Sequence, residues 1–259
     1  MDHPNGSLSR KLASKVPAVT VAFWIVKIFA TTVGETGGDA LSMTLNLGYL
    51  VSSAIFLTFF AVTVATQIAS RRYHPVSYWL VVVATTTVGT TTSDYLDRTV
   101  GLGYPKSSAL LFCGVVAVLV TWRVTTGHLQ FQNITSRHDE FFYWLTILVS
   151  NTLGTALGDF VADSAEMGFE RGALVFAALL VVVLLLYMFT RIERSVLFWA
   201  AYVLTRPLGA TLGDTLTKPT AQGGLNLGRF TCTFVIAAAM VIVVAATSLR
   251  RPAEGVAEA

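Results

Sequence analysis

Thr32-Val33-Gly34-Glu35-Thr36-Gly37-Gly38-Asp39 decides how this chain is read, because the sequence writes the phrase four times. It returns as Thr87-Val88-Gly89-Thr90-Thr91-Thr92-Ser93-Asp94, then as Thr152-Leu153-Gly154-Thr155-Ala156-Leu157-Gly158-Asp159. The last copy is Pro207-Leu208-Gly209-Ala210-Thr211-Leu212-Gly213-Asp214. Each holds Gly, a second Gly or Ser four residues on, and Asp directly after it. Ten residues before the first Gly stands a Trp (Trp24, Trp79, Trp144, Trp199), itself preceded by Phe23, Tyr78, Tyr143 or Phe198. So many positions kept in register make an internal repeat, and a repeat sets the fold.

Composition gives the solvent. Of 259 residues, 54% are hydrophobic and 13% charged, against about 25% charged in soluble domains; mean hydropathy is +0.64. Long apolar runs between basic clusters point to an all-α integral membrane protein whose first partner is the lipid bilayer. A net charge of +3, spread along the chain, excludes a nucleic-acid partner, and Arg71-Arg72 reads as a membrane-edge anchor. Cys113 and Cys232 lie in apolar runs and read as small buried hydrophobes. The first apolar segment carries Lys27 and Glu35 and no small-residue cleavage site, so it reads as retained. Asn133-Ile134-Thr135 fits a glycosylation acceptor but falls on the expected cytoplasmic side, where the match is empty.

Taken in order, residues 1–16 form a basic cytoplasmic arm, and Pro17 suits the first turn of a helix. The first half, 17–125, holds two hairpins: a motif helix to about residue 42, a turn at Asn46-Leu47-Gly48, an apolar helix over 49–69, then helices near 76–96 and 107–125. A polar connection covers 126–140, and the second half, 141–249, repeats the plan before a tail at 250–259. Eight transmembrane helices of near 20 residues match a hydrocarbon core of about 30 Å. The first motif glycines stand 55, 65 and 55 residues apart. These spacings make four parallel two-helix repeats in two pseudo-symmetric halves, related by an axis along the membrane normal.

Basic residues orient the chain. Arg10, Lys11, Lys15, Arg71, Arg72, Arg123, Arg137, Arg191, Arg194, Arg250 and Arg251 fall on the side of both termini, against Arg98, Lys106, Arg171, Lys218 and Arg229 opposite. Both termini are therefore expected in the cytoplasm, with the protein multi-pass in a bacterial inner membrane. The aromatic-Trp pairs then lie near the cytoplasmic interface, where amphipathic rings settle.

At 100° per residue, two small residues four apart share one helix edge, within about 40°. Gly34 with Gly38, Gly89 with Ser93, Gly154 with Gly158, and Gly209 with Gly213 therefore present a smooth groove for helix packing. A second face, about 120° away, carries Thr32, Glu35, Thr36 and Asp39; then Thr87, Thr90, Thr91 and Asp94; then Thr152, Thr155 and Asp159; then Thr211 and Asp214. Four such helices around one axis would bring these oxygens together.

A single Asp at mid-membrane costs roughly 2.5–3.5 kcal/mol, so four cost on the order of 10. From Trp24 to Asp39 is about 22 Å of helix, which places the aspartates toward the far boundary. An Asp that merely ends each helix is one reading, opposed by the macrodipole, which disfavours a carboxylate at a helix C-terminus. Lys27 and Arg206 fall inside expected spans as charge-balancing cations, either with a carboxylate partner or, for Lys27, by reaching to the interface. Against Glu35, Asp39, Asp94, Asp159 and Asp214 they leave a net charge of −3. Asp97, Asp163 and Glu166 beyond the motif read as solvated loop charges, or as an acidic entrance.

Carboxylate and hydroxyl oxygens without His or Cys favour hard cations such as Mn²⁺, Mg²⁺ or Ca²⁺. His3, His74, His128 and His138 lie in expected loops or the arm, and no nucleophile constellation or nucleotide motif appears, so no enzyme chemistry is expected. The expected function is a secondary transporter, an exporter of a divalent metal cation. Asp39, Asp94, Asp159, Asp214 and Glu35 would bind the ion, and Thr32, Thr36, Thr87, Thr91, Thr152, Thr155 and Thr211 would supply secondary oxygens. No cofactor is implied: the cation is substrate, with protons exchanged at the same carboxylates. A passive cation channel around the same axis and a non-transporting scaffold held by ion pairs are the alternatives. The sequence carries no signal for an oligomeric state.

The four-hairpin plan with its recurring T-x-G-x-x-x-G-D phrase, over residues 17–250, resembles a family of bacterial integral membrane proteins labelled "membrane-anchored", a label that implies no activity. More distantly, Glu35-Thr36-Gly37-Gly38-Asp39-Ala40-Leu41-Ser42 is similar to the E-x-G-D-[KR]-[ST] phrase of a family of manganese/calcium transporters. This chain departs from that phrase by one extra residue before Gly-Asp, by lacking a base after Asp39, and by keeping the Glu in one repeat alone. The resemblance implies a divalent ion.

Overall fold

The computed structural model describes residues 15–70, 73–129, 132, 134–165 and 167–249. Arg10, Lys11, Arg71, Arg72, Asn133, Glu166, Arg250 and Arg251, nearly all of the expected arm and the whole tail lie outside the described residues. Those described are all-helical, with eight α-helices and no strand. The motif helices are α1 (Val21–Asp39), α3 (Pro75–Asp94), α5 (Arg137–Asp159) and α7 (Arg194–Thr217). The helices that follow them are α2 (Gly48–Ala69), α4 (Tyr104–Thr126), α6 (Gly168–Phe189) and α8 (Arg229–Leu249).

Local chemistry fixes the starts. Thr20 caps α1 by accepting from the Phe23 N–H, Ser136 caps α5 through the Asp139 N–H, and Pro75 opens α3 where a missing donor costs nothing. Pro17 was expected in the first turn but lies ahead of the helix, because the Thr20 cap sets the start later. Three motif helices do not stop at their aspartate. They widen into single π-helical turns over Ala40–Thr44, Tyr95–Thr99 and Phe160–Ser164, closed by i→i−5 bonds such as Leu45 N to Ala40 O at 3.0 Å. The fourth continues as α-helix to Thr217. The aspartates are thus inside the helical path, which removes the reading in which each merely ends its helix. Asn46 and Gly48 then turn the chain back with left-handed φ of 54° and 73°.

The packing is cyclic. α1 packs on α3, α3 on α5, α5 on α7 and α7 on α1, closing a four-helix ring; α2 lies outside on α3, α4 on α5, α6 on α7 and α8 on α1. Each outer helix therefore covers the motif helix of the next repeat. A Cβ on Gly34 would collide with Thr86, one on Gly89 with the backbone of Asn151 and Thr152, one on Gly154 with Arg206 and one on Gly209 with Thr31. The first small residue of every repeat is thus the seat of the next helix.

Close approach also lets hydroxyls reach across to backbone carbonyls. Thr86 donates to Ala30 O at 3.1 Å and Thr90 to Gly34 O at 3.1 Å. Thr31 donates to Thr205 O at 3.3 Å across the closing seam.

Among the described residues, five helical segments are long and apolar enough to cross a membrane: α2, α4, Arg137–Asp163, α6 and Arg229–Ser248. The outer helices expose Leu57, Val62, Leu110, Val120, Leu184, Phe234 and Ile242 among other large apolar side chains. α1, α3 and α7 are buried within the ring instead. Cys232 is buried, but Cys113 is exposed on α4, contrary to expectation.

The aromatic pairs pack inward: Phe23, Tyr78, Tyr143 and Phe198 are buried, as are Trp79, Trp144 and Trp199. Each first aromatic meets the Trp of the next repeat: Phe23–Trp79, Tyr78–Trp144, Tyr143–Trp199 and Phe198–Trp24. With a 2.6 Å bond between the Tyr78 and Tyr143 hydroxyls, they form a floor across one end of the ring. Lys15, expected in a loose arm, is clamped there by Glu140 at 2.8 Å and Ile68 O at 3.1 Å.

Candidate functional site

Counting from the residue after the first motif glycine, every fourth position in either direction along the motif helices faces the ring axis, which stacks side chains in layers above the aromatic floor. The first layer is Lys27, Val82, Ile147 and Tyr202; the second Thr31, Thr86, Asn151 and Arg206; the third Glu35, Thr90, Thr155 and Ala210. Above them come Asp39, Asp94, Asp159 and Asp214, and last Met43, Arg98, Asp163 and Lys218. A step of four residues turns a helix by 400°, nearly a full turn, so one narrow stripe of each helix serves all layers.

Arg206 closes the axis below the aspartates. Its Nη2 donates to Thr90 Oγ1 at 2.5 Å, Thr155 Oγ1 at 2.7 Å and Glu35 Oε2 at 3.0 Å, three of the four members of the third layer. It is fully buried. All of these contacts fall on Nη2; Nε and Nη1 are buried with no hydrogen-bond partner among the described residues, so the Glu35 carboxylate carries most of the compensation for a charge that is costly inside the bundle. Lys27 was expected to balance carboxylate charge, yet it contacts none. Its Nζ donates to Asn151 Oδ1 at 3.3 Å and lies 4.2 Å from the Tyr202 ring centre, because the acids begin two turns higher.

The four aspartates are all buried and are bridged in pairs. Arg98 Nε lies 3.0 Å from Asp94 and its Nη2 3.6 Å from Asp159. Lys218 Nζ lies 3.2 Å from both Asp214 and Asp39, and Arg229 Nε is 3.5 Å from Asp39. Each bridging base stands four residues after its own aspartate and reaches the aspartate of the next repeat. The ring is fourfold in backbone and twofold in charge. Arg98 thus joins Asp94 to Asp159 and Lys218 joins Asp214 to Asp39, pairwise around the ring.

This corrects the expected charge. Arg98, Lys218 and Arg229 were placed in outer loops; instead, with Arg206, they set four cations against five acids and leave one negative charge rather than three. It falls on the Asp94–Asp159 side, where one base serves two carboxylates. The tightest group of acids lies elsewhere: Glu35, Asp39 and Asp214 offer oxygens within 4.8 Å of one another.

Of the seven threonines expected as secondary ligands, Thr155 alone faces the axis. Thr32, Thr87, Thr91, Thr152 and Thr211 donate back to carbonyls of their own helices, and Thr36 accepts from Thr233 of α8 at 2.8 Å. Thr90, in the phrase but outside the expected ligand set, sits on the axis. The signal for the missed bases was in plain sight: Asp-x-x-x-Arg at 94–98 and Asp-x-x-x-Lys at 214–218.

The top layer opens into a cavity of about 410 Å³ lined by Met43, Arg98, Asp163, Phe169, Lys218, Pro219, Gln222 and Arg229. Asp163 is exposed there, whereas Asp97 is buried and accepts from Ser93 at 3.2 Å, not solvated as expected. The cavity thus reaches Arg98, Lys218 and Arg229, the bases bound to the buried aspartates, and Arg206 and the aromatic floor close the axis beneath them.

No curated protein and no solved structure matches the chain. Nothing in these comparisons bears on the likeness of residues 35–42 to manganese/calcium transporters. A family model described as Repeat of Unknown Function matches four times, over residues 22–73, 77–128, 142–193 and 197–252, and the chain belongs to that family, DUF347.

Proposed function

We propose that the chain is an eight-span membrane transporter that carries a cation at its aspartate layer. Membrane insertion is supported by the outer helices, which turn a continuous apolar surface outward; a patch of that extent on a soluble monomer would be an association hazard. The polar residues of α1, α3 and α7 that lower their hydropathy are largely buried, on the axis or against neighbouring helices, so these helices can span inside an apolar sleeve. The excess of bases on the side of the termini supports a cytoplasmic location for both in a bacterial cell, which would turn the cavity outward.

One observation carries the transport reading: five buried acids on the axis of the ring, with the bases that bind the aspartates lining a cavity at one end and Arg206 lying beneath. Ionisable groups at membrane depth that line a solvated route mark ion pathways. A hard divalent cation such as Mn²⁺ or Mg²⁺ fits the oxygen-only set of Glu35, Asp39 and Asp214. The Arg206 plug favours alternating access over a passive pore, because a through-channel would have to pass a buried guanidinium.

Proteoliposomes offered a panel of Mn²⁺, Mg²⁺ and Ca²⁺, with a pH dye inside, test this directly. Saturable metal flux with opposing proton movement is expected. A current proportional to voltage without proton movement would make the protein a channel; no flux of any ion would leave the acids as a structural ion-pair network.

A further inference from the structure

We propose that Lys218 is a tethered cation that holds the Asp39–Asp214 position when no ion is bound and leaves it for the cavity when a divalent ion enters, so making the site selective for doubly charged ions. This rests on the cation-transport reading above.

The geometry separates a fixed backbone from a movable head. Lys218 N donates to Asp214 O at 2.9 Å, and Lys218 O accepts from Asn226 N at 2.9 Å. The returning loop is strapped to the same helix end by Leu225 N to Thr215 O at 2.7 Å and Leu227 N to Leu216 O at 2.9 Å. Gly224 lies so close to the Lys218 carbonyl that any side chain there would collide with it. The main chain is therefore pinned, and the four-carbon stem is left as the mobile part.

That stem has somewhere to go. Lys218 lines the cavity of about 410 Å³ above the aspartates, room for several waters around an ammonium. Its counterpart in the other half behaves differently. Arg98 spans Asp94 and Asp159 with two nitrogens of a rigid planar fork, whereas an ammonium is a compact point charge on a flexible stem. Of the two bridging groups, the ammonium is the one that a compact metal ion replaces most nearly in kind.

Charge then sets selectivity. With the ammonium in place, the aspartate layer keeps one negative charge after Arg98 and Arg229 are counted. With the ammonium in the cavity it carries two, which a divalent ion neutralises and a monovalent ion does not. A monovalent ion gains no more from the site than the tethered ammonium already does, and it meets that ammonium as a competitor at very high local concentration.

Mn²⁺ binding to the purified full chain in detergent, read by electron paramagnetic resonance, tests the inference with Lys218→Met and Lys218→Arg. Lys218→Met should bind Mn²⁺ about tenfold tighter or more, since removing a unit charge a few ångströms away is worth at least that much. Excess Na⁺ or K⁺ should displace Mn²⁺ more readily from this variant than from wild type. Unchanged or weaker Mn²⁺ binding in Lys218→Met overturns the inference while leaving the cation site standing. Should Lys218→Met fail to fold, Lys218→Arg decides: its fork should hold both aspartates and weaken Mn²⁺ binding, and equal or tighter binding would overturn the proposal. Absence of Mn²⁺ binding in wild type as well as the variants would sink the cation-site reading itself.

Discussion

Among single residues, Arg206 and Glu35 depend on each other most. Both are buried, and removing one strands the other's charge, a loss of about 3–5 kcal/mol where a buried pair is broken from one side. Glu35→Gln should therefore lower unfolding stability in detergent by that order. Glu35→Gln combined with Arg206→Thr, which restores the residue type of Thr31 and Thr86 at the same position, should recover most of it. A double variant no more stable than the single would show that the pair is not the cause. The sequence exposes Arg206 as the odd member of its column, but not where its head points. That depends on the ring closing, so that three other helices offer Glu35, Thr90 and Thr155 to one guanidinium. Lys27 is legible as buried and illegible as a partner, because only the stacking shows that the acids start two turns above it.

Among elements, the motif glycines differ in what faces them. A Cβ on Gly89 would meet the Asn151 carbonyl carbon at 2.8 Å and the Thr152 nitrogen at 2.9 Å, both backbone. Helix α5 cannot yield there without moving as a whole. Gly37 has only Thr233 Cγ2 at 3.5 Å and Thr87 Cγ2 at 4.0 Å nearby. Gly89→Ala should cost about 1–3 kcal/mol, as overpacking does, while Gly37→Ala should stay within about 0.5 kcal/mol; thermal unfolding of the two in one detergent compares them. Equal losses would mean that the small residues serve helix flexibility rather than the seam. That the small residues form a packing edge follows from spacing alone. Which helix they receive does not, since the neighbour comes from the next repeat rather than from the same hairpin. The π-helical turns after Asp39, Asp94 and Asp159 also escape the sequence, because they arise from register changes that no residue type announces.

At the scale of the whole molecule, four repeats give a closed ring with a capped axis, and the sequence carries most of that plan. What it conceals is the charge. Arg98, Lys218 and Arg229 read as loop bases by the same rule that orients the chain, because their side chains fold back onto acids that hydropathy places deeper. The consequence is a layer with one unmatched negative charge on the Asp94–Asp159 side, while Asp39, with Glu35 and Asp214, offers the close oxygen set proposed for the ion. The measurement that bears most directly on this account is Mn²⁺ uptake into proteoliposomes by wild type and Asp39→Asn, reconstituted to equal density. Saturable uptake by wild type that falls to the protein-free background in Asp39→Asn is the expected result; uptake by the variant at the wild-type rate would contradict it.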